Sequence, residues 1–130
     1  MTIEALQYAP DKRSAITEFT RILRPGGRLA VICFEVDPVK ARGLPVLGAD
    51  PIADYRPMLA DAGMLLDTYA ETSGWQPRVY SAFRAIADAK DMLIQEMGVQ
   101  AASAAVAEAL LTLEVKPYPR RVLIGATRRA

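Results

Sequence analysis

The fold of this 130-residue chain is indicated most clearly by the stretch Ile22-Leu23-Arg24-Pro25-Gly26-Gly27-Arg28-Leu29, which runs on into Ala30-Val31-Ile32-Cys33-Phe34. Proline fixes its own φ and lacks an N–H donor, and glycine accepts the positive φ that a turn requires. The stretch therefore predicts a helix that stops at Pro25 and a strand over residues 28–35. Because that strand is almost continuously apolar, we expect it to be buried on both faces, as in a parallel sheet.

The residues before this turn predict a helix and a strand. Asp11 is a suitable N-cap. After it, apolar residues recur at the one-face spacing of an amphipathic helix: Ala15, Ile16, Phe19, Ile22 and Leu23. Residues 2–8 predict the tail of a strand that enters a loop. The order strand, helix, strand predicts a right-handed crossover unit.

The residues after the turn predict a second such unit. Residues 36–53 form a loop rich in proline and glycine, Asp54 is placed to cap a short helix that reaches about Ala62, and Gly63 ends it. A third strand follows over residues 64–69.

The remainder departs from strict alternation of strand and helix. Apolar residues from Val79 to Met97 predict one long helix, those from Val99 to Leu113 predict another, and Gly98 separates the two. Residues 116–119 contain two prolines and predict a stiff linker, after which residues 121–127 form the last strand.

Composition excludes several classes of function. The formal net charge is +1, from 16 basic and 15 acidic residues, which argues against a nucleic acid or an anionic membrane as partner. We interpret the doublet Arg120-Arg121 as a solvated rim of the last strand rather than an anion site. No basic leader and no run of about 20 apolar residues is present, so we expect a soluble, cytoplasmic protein.

The chain contains one cysteine and no histidine. A Cys/His metal site, a Cys-His pair and a Ser-His-Asp triad therefore cannot be built from it, and we expect no metal. Cys33 lies inside the apolar strand, where a buried, inert thiol is the simpler interpretation.

Three segments, in this order, resemble class I S-adenosylmethionine-dependent methyltransferases of the small-molecule type: Ala5-Leu6-Gln7-Tyr8, the stretch at 22–29, and Asp54-Tyr55-Arg56-Pro57-Met58-Leu59-Ala60-Asp61-Ala62-Gly63-Met64. The resemblance covers residues 3 to about 70, and residues 75–119 look like a helical insertion, or lid, before the last strand. It implies an α/β fold. Residues 1–130 would form a single domain with the C-terminal strands of a doubly wound, Rossmann-like sheet.

By this resemblance, the first three of seven strands are missing, together with the glycine-rich loop and the acidic residue that bind most of S-adenosylmethionine. The cofactor site would be incomplete in this chain. A doubly wound sheet that is cut in the middle exposes its central strand, and exposed edges invite pairing. We therefore expect either a homodimer or a separate chain that carries the missing half.

The resemblance also implies site residues around the end of the first strand. Backbone carbonyls at Ala5 and Leu6 would face the cofactor. Tyr8 would shape the acceptor pocket; the alternative is that it packs on the first helix. Glu4 is the candidate general base or acceptor-orienting group; the alternative is a solvated carboxylate without a role. Trp75 and Tyr80 are the candidate substrate-binding residues of the insertion, whose other aromatic and apolar residues are more simply explained as core.

Three functions remain open from the sequence. The first is a methyltransferase component that acts on a small metabolite once another half supplies the cofactor site. The second is a non-catalytic fragment that serves for dimerisation or partner binding through its open edge. The third is a small-molecule binding domain without chemistry. A likeness of fold does not decide among them.

Overall fold

The computed structural model describes residues 1–40, 42, 51–72, 74–115 and 119–130. In chain order the elements are β1 (Thr2–Ile3), a 3-10 turn (Leu6–Tyr8), α1 (Lys12–Ile22), β2 (Arg28–Val36), α2 (Arg56–Asp61), β3 (Met64–Glu71), α3 (Gln76–Asp88), α4 (Lys90–Met97), α5 (Val99–Val115) and β4 (Pro119–Arg128). They form two compact units, Met1–Thr72 with Tyr118–Ala130, and Ser73–Pro117. The single domain stays a prediction.

The first unit is built on a four-stranded sheet with the order β1-β2-β4-β3. β1 is parallel to β2, whereas β4 lies antiparallel between β2 and β3. The predicted α/β class is confirmed, but the sheet is mixed rather than purely parallel.

The local signals around α1 act as expected. The Asp11 side chain accepts a hydrogen bond from the Ser14 N–H at 2.9 Å and thereby caps the helix. Gly26 takes a φ of 73°, and a Cβ on Gly27 would lie 2.7 Å from the Arg24 carbonyl oxygen. The turn that starts β2 therefore requires both glycines.

The hydrophobic core lies on one face of the sheet. Ile16 of α1 and Leu59 of α2 pack there with Val31 and Cys33 of β2 and Ile124 of β4. Burial along β2 alternates, so the prediction that this strand is buried on both faces is wrong. The apolar residues of β2 that point away from α1 and α2 are half-buried or exposed. An apolar run of sequence does not by itself show which of its residues face the core.

Two predicted elements differ from the structure. The first strand ends at Ile3 instead of Tyr8, because Glu4 leaves the extended region with a φ of 49° and the 3-10 turn follows. The predicted long helix is divided at Ala89, whose ψ of 16° ends α3 and whose carbonyl starts α4. Gly98, with a φ of 85°, separates α4 from α5 as predicted. The proposed linker at 116–118 lies outside the described residues.

The second unit contains α3, α4 and α5, and α5 contacts both other helices. Its most buried residues are Ala102, Val106 and Ala109 of α5, whereas α3 and α4 have no fully buried residue. None of the helices in the described ranges combines the length and the apolar character needed to cross a bilayer.

Candidate active site

The carboxyl ends of β1 and β2 and the amino end of β4 lie at the same end of the sheet. In open α/β sheets, ligands bind outside the carboxyl ends of the parallel strands. Two arginines, Arg120 and Arg121, lie near the start of β4 there. Arg120 binds Glu35 of the neighbouring strand β2, and Arg121 binds Glu4, which directly follows β1.

Arg120 binds Glu35, near the end of β2, on the face of the sheet that carries the core. The Glu35 side chain is 2% exposed. Its Oε2 accepts from Arg120 Nε at 2.9 Å and also from Nη2, and its Oε1 accepts from the Tyr69 hydroxyl. We call Arg120, Glu35 and Tyr69 the buried clasp.

The buried clasp holds the start of α2. The Tyr55 N–H donates to the Tyr69 hydroxyl at 3.0 Å and to Glu35 Oε1 at 3.3 Å. Next to it, Arg56 binds Asp54 through Nε and Nη2 and lies over the Tyr69 ring at 5.2 Å. These contacts explain why the loop ahead of α2 meets the sheet at this point.

The environment of the buried clasp keeps the Cys33 thiol and the Tyr69 hydroxyl protonated. Burial raises the pKa of the Cys33 thiol from 9.0 to about 12, and the negative charge of Glu35 adds to the shift. Burial, and then its hydrogen bond to Glu35, raises the pKa of Tyr69. Conversely, the hydrogen bond from Arg56 lowers the pKa of Asp54. The cluster is therefore a structural network rather than an acid–base pair poised near neutral pH.

Arg121 binds Glu4 on the opposite face of the sheet. Arg121 Nε donates to Glu4 Oε1 at 2.8 Å, and Arg121 Nη1 reaches Thr72 Oγ1 at 3.5 Å. The Glu4 side chain is 43% exposed. We call Arg121 and Glu4 the open clasp.

Glu4 is also held through its backbone. Its N–H donates to the Ile32 carbonyl at 2.7 Å, and its own carbonyl accepts from Gln7 Nε2 at 2.8 Å. A non-glycine residue in the left-handed region carries strain of about 1–3 kcal/mol, which such contacts offset. Gln7 is 5% exposed, and its Oε1 has no hydrogen-bond partner among the described residues.

The structure brings the sequence-predicted residues of β1 into one turn. The Ala5 and Leu6 carbonyls accept from the Tyr8 and Ala9 N–H groups, each at 3.1 Å, and a carbonyl keeps a second lone pair for a ligand. The Leu6 side chain is buried in the core, whereas Tyr8 is exposed. In the second unit, the rings of Trp75 and Tyr80 lie 6.0 Å apart and inclined at 53°.

Sequence reasoning missed Glu35, Tyr69 and Arg120. The doublet Arg120-Arg121 was the available signal, since successive residues of a strand point to opposite faces. The interpretation as a solvated rim did not include the ion pair that each arginine forms with a glutamate. Within the described residues, no group of histidine, cysteine or acidic side chains is arranged to hold a metal ion.

No model of a known protein family matches the sequence. The structure is similar to the [4+2]-cyclase SpnF, with a TM-score of 0.71 and 17% identity over 99% of this chain and 48% of SpnF. It is also similar to a putative sarcosine dimethylglycine methyltransferase from Galdieria sulphuraria, with a TM-score of 0.72 and 12% identity over 98% and 51% of the two chains.

A third similar structure is geranyl diphosphate C-methyltransferase from Streptomyces coelicolor A3(2), solved with Mg2+, geranyl-S-thiolodiphosphate and S-adenosyl-L-homocysteine. The TM-score is 0.60 and the identity 19%, over 97% of this chain and 43% of that one. The fold expected from the resemblance is confirmed: the chain has the Rossmann-like α/β fold of methyltransferases and spans about half the length of these structures.

Proposed function

We propose that this chain is a component of an S-adenosylmethionine-dependent methyltransferase that acts on a small-molecule metabolite in the cytoplasm. The observation that carries the proposal is the match of nearly the whole chain to about half of each similar structure. The carboxyl edge of the sheet, where β1 and β2 end, is the place at which this class of fold binds ligands.

Methyl transfer requires the sulfonium carbon of the cofactor to be aligned with the acceptor atom, so positioning supplies much of the catalysis. The free lone pairs of the Ala5 and Leu6 carbonyls fit hydrogen-bond donors of the cofactor. They are too few to hold it. We propose that S-adenosylmethionine is bound mainly by an N-terminal half that supplies the glycine-rich loop.

We propose that Glu4 orients the acceptor. Its Oε1 is held by the Arg121 guanidinium at 2.8 Å, which fixes the position of the carboxylate. Its Oε2 remains to accept a hydrogen bond from an acceptor hydroxyl or amine. We propose Tyr8 as an acceptor-binding residue of the first unit. Within the second unit, Trp75 and Tyr80 are the proposed substrate-binding residues.

The sheet offers a surface for the proposed N-terminal half. Among the described strands, β1 is paired only on the side of β2, and it is only two residues long. Ile3, Leu65 and Leu123 are exposed, at 52%, 49% and 37%. An open strand edge and exposed apolar side chains on the sheet both favour coverage by another polypeptide.

Calorimetric titration of S-adenosylmethionine into the purified chain, with its mass in solution measured on the same sample, tests the proposal. We expect no binding by the chain alone. Binding should appear when the chain is co-expressed with the product of a neighbouring reading frame that encodes a strand followed by a glycine-rich loop. Tight binding by the chain alone would contradict the incomplete site, and a stable complex that binds no cofactor would contradict the enzyme.

A second candidate is a non-catalytic methyltransferase-like module for dimerisation or ligand binding. The exposed apolar side chains of the sheet favour it, because they would be covered equally well by a second copy. A stable homodimer that ignores S-adenosylmethionine under every condition would support this candidate over the first.

A further inference from the structure

The face of the sheet that points away from α1 and α2 is apolar. The register places one row of apolar side chains across all four strands on this face: Ile3, Ile32, Leu123 and Ala70. Ile3 and Leu123 are 52% and 37% exposed, and Ile32 is half-buried. The next row consists of small residues, Ala30, Gly125 and Thr68. We call these two rows the back face.

The composition of the back face differs from that of a solvated sheet face. Where one face of a sheet stays in water, polar residues alternate with the apolar residues of the core. In β2 the positions between the core residues are Ala30, Ile32 and Phe34, all apolar, and none of them is fully buried. Such strands are typical of sheets that are covered on both faces. The described residues of the first unit provide cover on the core face alone.

A second copy of the chain satisfies only one of the two open features of this sheet. Among the described strands β1 is paired only with β2, and its free edge adjoins the back face at Ile3. Two copies paired edge to edge at β1 leave both back faces uncovered, and two copies stacked back to back leave both edges unpaired.

The size of the sheet also argues against the stacked pair. Four strands, at the length of the nine residues of β2, give a flat area of about 400 Å² on this side. A stable interface takes about 800 Å² from each partner. The occupant that fits best therefore continues past the back face onto the edge of β1.

The handedness of crossovers determines which face an added helix would cover. Connections between parallel strands are right-handed. The chain steps from β1 to β2 through α1, whose Ile16 packs in the core. A strand that pairs with the free edge of β1 and steps outward, in the opposite direction, therefore sends its helix to the back face. One polypeptide with a strand and a helix can pair the edge and cover the row that begins at Ile3.

We propose that the back face is the docking site for an amphipathic helix of the polypeptide that supplies the N-terminal half, rather than for a second copy of this chain. The apolar stripe of that helix packs on Ile3, Ile32 and Leu123. Its larger side chains fill the space over Ala30 and Gly125. The inference rests on the proposed function for the existence of that polypeptide, whereas the back face itself belongs to this chain.

Two lysine variants of similar exposure separate the faces of the sheet. Leu123 lies on the back face and is 37% exposed, whereas Leu66 is paired with Ala126 on the core face and is 40% exposed. Circular dichroism and urea denaturation establish that Leu123→Lys and Leu66→Lys both fold.

Sedimentation and dye binding test the purified chain alone. We expect a monomer that binds the hydrophobic dye ANS, which reports exposed apolar surface. Leu123→Lys should lower the dye fluorescence more than Leu66→Lys does. A stable dimer that Leu123→Lys dissociates would place a second copy on the back face and overturn the proposal.

The docking itself is measured with the product of the neighbouring reading frame that encodes a strand followed by a glycine-rich loop. In calorimetric titration, Leu123→Lys should weaken its binding at least about tenfold, since burial of a leucine side chain is worth about that factor. Leu66→Lys should bind like the unchanged chain. Equal affinities of the two variants, or no binding to the unchanged chain, would overturn the proposal.

The outcomes distinguish this proposal from the proposed function. A complex that depends on Leu123 but binds no S-adenosylmethionine would leave the docking site standing and remove the enzyme. A complex that binds S-adenosylmethionine and forms equally well with Leu123→Lys would do the reverse.

Discussion

The two clasps at the start of β4 use the same chemistry in different surroundings. Arg120 and Arg121 are consecutive, so they point to opposite faces of the sheet, and each meets a glutamate near the end of a parallel strand. Glu35 is 2% exposed and Glu4 is 43% exposed. The contrast lies in the carboxylates, since the arginine side chains differ in the opposite sense, with Arg120 46% and Arg121 21% exposed.

Burial, rather than the ion pair itself, therefore determines how much such a contact contributes to stability. Removing one partner of a buried pair strands a charge in a medium that solvates it poorly, whereas an exposed pair is screened by water and salt. We therefore assign a structural role to the buried clasp and leave the open clasp available to a ligand.

Glu35→Ala should have the largest effect, because it removes the buried acceptor of Arg120 and the Tyr69 hydroxyl and leaves the Tyr55 N–H with the Tyr69 hydroxyl alone. We expect the free energy of unfolding to fall by about 2 kcal/mol from the lost buried hydrogen bonds. Urea denaturation measures it, with Glu4→Ala as the matched control at the open clasp. Equal losses in the two variants would show that burial does not separate the clasps.

Stability should also fall at high pH, and the loss should come from the buried Cys33 thiol. The pKa of Cys33 is raised from 9.0 to about 12 by burial, so the folded state keeps a proton that the unfolded state loses between these values. The free energy of unfolding therefore declines as pH rises, by about 1.4 kcal/mol between pH 8 and pH 10 from this group.

Urea denaturation at both pH values checks this, and Cys33→Ala should flatten the decline. A decline of the same steepness in the cysteine variant would refute the assignment.

Arg121→Gln should have the smallest effect on stability, at most about 1 kcal/mol, because the open clasp is solvated. Its effect should appear locally, as faster hydrogen exchange at the Tyr8 and Ala9 N–H groups of the 3-10 turn. Addition of 1 M NaCl to the unchanged chain should produce part of the same acceleration. Unaltered exchange in Arg121→Gln would mean that the turn does not depend on Arg121.

Several elements were predictable because their signals are local. Asp11 caps α1 as expected, the turn at Gly26 takes the positive φ, and Gly98 separates two helices. The break at Ala89 was not predictable, because alanine is a good helix former and the apolar spacing continues across it. Likewise, the apolar character of β2 did not reveal which of its faces meets the helices.

The candidate site was only partly predictable for a related reason. The resemblance located the turn after β1, and the structure places Glu4, Ala5 and Leu6 there together. It gave no sign of Glu35 or Tyr69, since a lone glutamate at the end of an apolar strand is compatible with solvation.

By itself, the sequence determined the α/β order of elements, the turns and caps that bound them, and the absence of histidine from any chemistry of this chain. Which carboxylate Arg120 and Arg121 each bind is determined only by the tertiary structure. Arg120 is separated from Glu35 by 85 residues, and Arg121 from Glu4 by 117. The physical reason is that caps and turns act within a few residues, whereas strand order and register bring distant side chains together.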